Sequence, residues 1–250
     1  MSGPYDFGLT GARAVVTGAS RGIGAEVARA LALAGAAHVT LIARDAGALR
    51  AVAGEVRGLG AQAGAVACDV TDGAGLEAAV TGVGRVDVLV HAAGVNVPQS
   101  LVNLDLAVTD DLWATNVRAV LHLTKLALPH MPAGGVVVLL SSQMGHVGAG
   151  RRSAYCATKH AVEGVTKALA LELAPRGIRV VAVAPTFVET PMTAPFLADA
   201  GFRAGVLAQI PLGRLGTVQD VAAAVRFAAS PAAAMITGSS IRVDGGWTAR

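Results

Sequence analysis

Charge is scarce in this 250-residue chain. Only 15% of its residues are Asp, Glu, Lys or Arg and 53% are hydrophobic, against roughly 25% charged in an average soluble protein. Such a composition implies a large core and favours buried subunit contacts. The net charge is +3, yet no run of Lys or Arg exceeds the pair Arg151-Arg152. No basic stripe marks a nucleic-acid surface, so nucleic acid is not an expected partner. Cysteine is almost absent: Cys68 and Cys156 are the two present, with no C-x-x-C and no metal-type spacing. That excludes a disulfide scaffold or structural zinc site and fits a reduced cytoplasm. Both read as small buried hydrophobes. His38, His122, His130 and His160 form no metal-like set with carboxylates or cysteines, so no catalytic metal is assigned. No uninterrupted apolar stretch reaches the roughly 20 residues of a membrane span. The first residues, with Asp6 and Arg13 around short apolar pieces, lack a signal-peptide pattern. A soluble, cytoplasmic protein is the expectation.

What is present is an alternation. Short apolar runs suited to buried strands recur at "RAVVTGA", "HVTLIAR", "AGAVACDV", "VDVLVHAAG", "GVVVLLSS", "IRVVAVAP" and "SSIRVDGG". Between most of them, apolar residues fall at three- and four-residue spacing, as in Val27-Leu31 and Leu112-Leu123. Alternating strand and helix implies βαβ units, and right-handed crossovers make a doubly wound parallel sheet with helices on both faces. No linker or repeat divides the chain, so residues 1–250 are expected to form one domain. The irregular segment at about 186–216 is too long for a simple connection. It reads either as a substrate lid, with Met192, Phe196, Leu197 and Phe202 covering an apolar cavity, or as a small helical decoration packed on the core.

Directly after the first predicted strand comes "TGASRGIG", with Gly18, Gly22 and Gly24 opening a helix. Glycine permits the tight turn and a close approach of the backbone to a pyrophosphate, and free N–H groups at a helix start favour anionic oxygens. An acid at the end of the second strand would hold the adenosine ribose hydroxyls of NAD. Here the chain reads Ala43-Arg44-Asp45. A guanidinium at Arg44 suits a 2′-phosphate, and Arg21 inside the turn adds a second positive charge. NADP(H) is the expected cofactor. A register shift that put Asp45 in the acid's place would favour NAD(H) instead.

The helix expected to start at Ser153 places Tyr155 and Lys159 four residues apart, on one face. A free phenol titrates near pH 10, and a nearby ammonium is expected to lower that value towards one useful for proton exchange. Taken alone, the pair is equally a surface pair, and Lys159 has Glu163 four residues on as an alternative ion partner.

Taken together, "TGASRGIG" at 17–24, "CDV" at 68–70, "HAAG" at 91–94, Asn116, "SS" at 141–142, "YCATK" at 155–159, "PTFVET" at 185–190 and the closing "VDGG" resemble the classical short-chain dehydrogenase/reductase family over nearly the whole chain. The resemblance implies a Rossmann-type domain with about seven parallel strands, a small-molecule carbonyl or alcohol substrate, and a homotetramer. It implies a catalytic set of Asn116, Ser142, Tyr155 and Lys159: Tyr155 as general acid/base, Lys159 on the nicotinamide ribose, Ser142 holding the substrate oxygen, and Asn116 helping to anchor a water linked to the lysine. Ser141 beside Ser142 leaves that assignment open, and Asn116 bonding its own backbone is the alternative for the asparagine. The implied cofactor contacts begin with Gly18, Ser20, Arg21, Gly22, Ile23, Gly24 and Arg44. They continue with Asp69 and Val70 at the adenine, then His91, Ala93 and Gly94. Tyr155 and Lys159 meet the nicotinamide end, where Pro185, Val188 and Thr190 follow. Two positions depart from the family pattern: Thr186 stands where glycine usually follows the proline, and His91 where asparagine usually begins the "NNAG" motif.

For substrate, Ser142, Tyr155, Met144, His146, Met192 and Phe196 are the candidate contacts, with His146 equally readable as a hydrogen-bonding loop residue. The expected activity is NADP(H)-dependent reduction of a ketone or aldehyde to an alcohol, reversibly. The alternatives are an NAD-dependent sugar or polyol dehydrogenase and, in a different class, a non-catalytic NADP(H)-binding redox sensor.

Overall fold

The computed structural model describes residues 6–249. Seven strands form one parallel sheet: β1 (Arg13–Thr17), β2 (His38–Ala43), β3 (Gln62–Ala67), β4 (Val88–His91), β5 (Val136–Leu140), β6 (Arg179–Pro185) and β7 (Ser240–Val243). Their order is β3-β2-β1-β4-β5-β6-β7. The seven apolar runs are these strands, although "CDV" at 68–70 lies just beyond β3. The interleaved helices are α1 (Gly22–Leu33), α2 (Ala46–Gly58), α3 (Gly73–Val83), α4 (Leu106–Trp113), α5 (Ala119–Ala127), α6 (Ser153–Leu173), α7 (Ala194–Leu197), α8 (Ala200–Gln209) and α9 (Val218–Ala229).

Successive strand residues point to opposite faces, and here both faces are apolar. Ala14, Val16, Val88, Val90, Val136 and Val138 join Val27, Leu31 and Val225 in one core, covered by α1, α2 and α9. Val15, Leu89, Val137 and Leu139 join Leu76, Leu123 and Val162 in the other, covered by α3, α5 and α6. This is why the strands read as continuous β-branched runs rather than as alternating ones.

The winding direction reverses between β1 and β4, which are adjacent in the sheet but separated by β2 and β3 in the chain. Thr17 is in register with His91, so the two strands release their loops side by side. A crevice must open there, at the carboxyl ends of the strands. After β6, residues 186–216 carry α7 and α8 and a small cluster of Leu197, Val206, Ile210 and Leu215, packed against Phe187 and Trp247. A bridge between Val188 and Gly216 closes the segment at its base.

Leu89 lies on the central strand and is fully buried in the second core. Leu89→Ala is expected to lower the unfolding free energy by about 3 kcal/mol, read from urea denaturation curves. A loss below about 1 kcal/mol would contradict the two-core arrangement.

Candidate nucleotide groove and active site

Gly18 leaves β1 with φ +65, and a Cβ on it would lie 2.7–2.8 Å from backbone atoms of Ala92 and Ala93. Thr17, itself buried, stitches the two loops: its hydroxyl oxygen accepts from the N–H groups of Ala92 and Ala93, both at 3.1 Å. A Cβ on Gly24 would overlap the Gly18 carbonyl, so α1 is pressed against the turn. Arg21 occupies the N-cap of α1 with no side-chain cap and no acid in the first turn. The first N–H groups and the positive end of the helix dipole are therefore available to an anion.

A groove runs from Ser20, Arg21, Gly22 and Ile23 past Arg44 to Asp69 and Val70, with Ala93, Gly94 and Thr190 on the opposite wall. Arg44 is 74% exposed, with Nη1 3.7 Å from Asp69 Oδ2. Hydrogen bonds from the Thr71 backbone and hydroxyl, with Arg44 adding a smaller effect, hold the Asp69 carboxyl below its ordinary range. Asp45 borders the same groove, but its Oδ1 accepts from the Ala48 N–H at 2.9 Å and caps α2. An uncapped helix start, a glycine turn and a guanidinium–carboxylate pair at the far end fit the diphosphate and adenosine ends of a dinucleotide.

At the other end of the groove, α6 presents Tyr155 and Lys159 towards the end of β5. The Ser142 hydroxyl lies beside the Tyr155 phenol and favours its ionised form. Its oxygen accepts from the Met144 N–H, and it donates to Gln143 Oε1, each at 3.2 Å. Ser141 is buried with its hydroxyl unpartnered among the described residues, which separates the two serines. Lys159 is 5% exposed. Its Nζ donates to the Leu140 carbonyl at 2.7 Å and lies 5.7 Å from the centroid of the Tyr155 ring. Glu163 makes no ion pair with it: the carboxylate accepts from Ser240 Oγ at 3.1 Å and meets His146 Nε2 at 3.2 Å.

Asn116 falls in a π-helical turn, Ala114–Arg118, between α4 and α5; such bulges recur at functional positions. Its amide accepts from the Val95 N–H at 2.9 Å and donates to the Val95 carbonyl at 3.0 Å and to Thr158 Oγ1 at 3.1 Å. Thr158 donates in turn to the Tyr155 carbonyl at 2.8 Å. Asn116 thus bonds the loop after β4 and α6, not its own backbone.

The electrostatics correct one expectation. Burial dominates at Tyr155 and pushes the phenol up to about 12, with neighbouring Ser142 opposing it; burial likewise pulls Lys159 down to about 8, opposed by Glu163. Lys159 spends its proton on the Leu140 carbonyl, and the phenol stays protonated at neutral pH.

Three further expectations are corrected. His91 is not on the groove: its ring is buried, with Nε2 2.9 Å from Thr124 Oγ1, because the last β4 side chain points into the core. His146 turns away from the cleft towards Glu163 and Ser240. Cys156 is half-buried, unlike Cys68. Met144 and Met192 do line the cleft beside Ser142 and Tyr155, with Pro185, Val188 and Thr186, whose hydroxyl is buried and unpartnered. Phe196 lies farther out, on an adjoining apolar cleft reached past Met144 and Phe187.

Sequence reasoning missed the residues that act by holding others. Thr17 and Thr158 carried a signal, since each sits inside a quoted motif; the Leu140 carbonyl carried none. Fold and site together define a Rossmann-type oxidoreductase. The chain belongs to the classical short-chain dehydrogenase/reductase family: residues 18–248 match the family model described as enoyl-(acyl carrier protein) reductase. It is 38% identical over 247 residues to L-xylulose reductase of Bos taurus, covering 98% of this chain and 99% of that one. It is 39% identical over 239 residues to 3-oxoacyl-(acyl-carrier-protein) reductase of Escherichia coli, covering 93% and 96%. Among solved structures, gluconate 5-dehydrogenase of Burkholderia cenocepacia in complex with NADP and tartrate superimposes with a TM-score of 0.93 at 31% identity, covering 99% of each chain.

Burial of His91 pushes its pKa down to about 3 from an unfolded value near 6.5. Between those values the unfolded chain binds a proton that the folded chain refuses, so stability falls as pH falls from 6.5 towards 3. Between pH 7 and pH 4.5 this is worth about 2–3 kcal/mol. In His91→Asn the loss of stability over that interval, measured by denaturant unfolding at both pH values, is expected to shrink by that order. An unchanged loss would contradict a neutral buried His91.

Proposed function

We propose that the protein is an NADP(H)-dependent carbonyl reductase, reversibly an alcohol dehydrogenase, acting on a small molecule. The observation that carries this reading is that Ser142, Tyr155 and Lys159 line one pocket where the cleft joins the nucleotide groove. When bound, the dinucleotide supplies hydride to the carbonyl carbon or takes it back. Ser142 and Tyr155 hold the carbonyl oxygen between two hydroxyls, and Tyr155 delivers its proton there as the alcohol forms. Lys159, fixed on the Leu140 carbonyl, orients the nicotinamide ribose. Asn116 keeps the Val95 loop and α6 in register, so a bound cofactor and the phenol cannot drift apart.

NADP(H) is favoured over NAD(H) because Arg44, exposed beside Asp69, borders the groove while Asp45, the acid that would select NAD(H), is committed to capping α2. A binding-only redox sensor has no need of the Ser142 and Tyr155 hydroxyls on one pocket. The bovine and bacterial relatives are both named as reductases. Residues 186–216 act as the lid over this cleft within one catalytic domain. Exposed Leu106, Trp113 and Leu121 on α4 and α5 supply apolar surface for assembly, which we read as a homotetramer.

Titration with NADPH and NADH tests the cofactor, and a ketone panel tests the chemistry. NADPH is expected to bind at least about tenfold more tightly, with the difference lost in Arg44→Ala, since a charge-assisted contact is worth about 1.5–3 kcal/mol. Tyr155→Phe is expected to bind NADPH normally and lose turnover by about 10²–10⁴-fold. Preference for NADH, or turnover that survives Tyr155→Phe, would overturn the reading.

A further inference from the structure

We infer that the substrate carries a carboxylate and that Arg152 is its anchor. This rests on the carbonyl-reductase reading and narrows its substrate class to short oxo acids and the corresponding hydroxy acids.

Arg152 is 8% exposed, and among the described residues no carboxylate pairs with it. Its Nε is buried without any partner, and Nη1 has only a long contact, 3.5 Å, to the carbonyl of Arg151. A guanidinium offers five donors in a planar fork, so most of this group's hydrogen-bonding capacity is unused. Burying such a charge is costly unless it is paired. The cost is softened on one side only, where Phe196 lies with its ring centroid 5.1 Å from the guanidinium carbon.

The cleft it lines supplies the geometry. Arg152 shares a wall with Met144, Phe187, Phe196 and Trp247, and Met144 and Phe187 also line the pocket that holds Ser142 and Tyr155. The two clefts therefore adjoin at Met144 and Phe187, with apolar walls between the catalytic hydroxyls and the guanidinium. Arg152 also stands one helical turn before Tyr155, close enough for its charge to oppose the rise of the phenol pKa. A substrate bridging the two carries both a carbonyl and a carboxylate.

The local backbone holds Arg152 in place. Arg151 has φ 60, the left-handed conformation that non-glycine residues rarely take. Its carbonyl accepts from the Gln99 N–H at 3.0 Å. The turn sends Arg151 outwards to solvent and its neighbour inwards to the cleft. Arg152 is also the N-cap of α6, a 21-residue helix with no side-chain cap and no acid in its first turn. The helix dipole adds to the positive potential at this point. Asp199, the acid bordering the cleft, has its carboxylate turned to the Phe202 N–H at 2.7 Å, where it caps α8.

The test compares acids with their methyl esters. With NADPH, 2-, 3-, 4- and 5-oxo acids of four to six carbons and their methyl esters are assayed with wild type, Arg152→Gln and Arg152→Lys. In wild type the acid is expected to exceed its ester in kcat/KM by at least about tenfold at one chain length. Arg152→Gln is expected to lose about 10–100-fold on the acid, the worth of a charge-assisted pair, while the ester changes by less than about threefold. Arg152→Lys, which keeps the charge without the fork, is expected to fall between, and stands in if Arg152→Gln does not fold. Binding of glutarate to the NADPH complex, measured by calorimetry, gives a readout independent of turnover: binding by wild type and about tenfold or greater weakening in the variant support the anchor. Esters that match or beat their acids throughout, equal losses on both, or glutarate binding indifferent to Arg152 overturn it. Turnover of none of these compounds, with NADPH bound, counts against the reductase reading, and the glutarate arm then decides the anchor alone.

Discussion

The contact on which the molecule depends is the one between two loops at the reversal of the sheet. β1 and β4 end in register, and the chain after each must leave through a gap that admits no methyl group between Gly18 and Ala92–Ala93. Thr17 closes the gap by accepting two backbone N–H bonds that the sheet cannot satisfy. Everything functional is measured from this junction. The start of α1 is set on one side of it, and on the other Val95 continues from Gly94 into the grip of Asn116. A looser junction would separate the phosphate-facing helix start from the hydroxyls on α6, although neither set of residues had changed.

Polar groups buried around the cleft divide into those that are paired and those that are left open. Lys159, Asn116, Thr158, Glu163 and His146 are each satisfied by protein atoms, and together they fix α6 against β5, the Val95 loop and β7. Asn96 Oδ1, Ser141 Oγ, Thr186 Oγ1 and Arg152 Nε are buried without partners among the described residues. Buried polar atoms without partners are rare because each costs stability. Those beside the catalytic pocket, with Arg152 on the adjoining cleft, mark where the fold leaves capacity for something it does not itself contain.

The fold was legible because strand composition and helix periodicity agree along the whole chain: runs such as "VVVLL" and "VVAVA" admit little but buried parallel strands. The catalytic set was legible because a helix fixes the relation of residues 155 and 159. Legibility stopped where a side chain's direction depends on tertiary contact. His91 had a motif position that suggested the groove, yet the parity of β4 sends its ring into the core. His146 had a loop position that suggested the cleft, yet Glu163, more than a dozen residues later, draws it away. The phenol's proton affinity was misread for the same reason. Sequence spacing reports that Lys159 is near; it cannot report how far burial raises one group and lowers the other, nor that a backbone carbonyl claims the ammonium.

α6 shows why one helix can carry so much of the chemistry. Successive residues of an α-helix are turned by about 100°, so positions 152, 155, 159 and 163 fall within about 80° of one another. On an ordinary helix of a two-core sheet that stripe would be apolar, as it becomes farther along at Ala170 and Leu173. Here it reads arginine, tyrosine, lysine, glutamate, and three of the four are more than nine-tenths buried. The inversion is stable because each group in the stripe is given a different neighbour: Phe196 and the open cleft, Ser142, the Leu140 carbonyl, and the His146–Ser240 pair. A rigid rod spaces these groups along its axis with no loop between them. Displacing one by moving the helix displaces all, which ties the position of a substrate's charged end to the position of its reacting carbonyl.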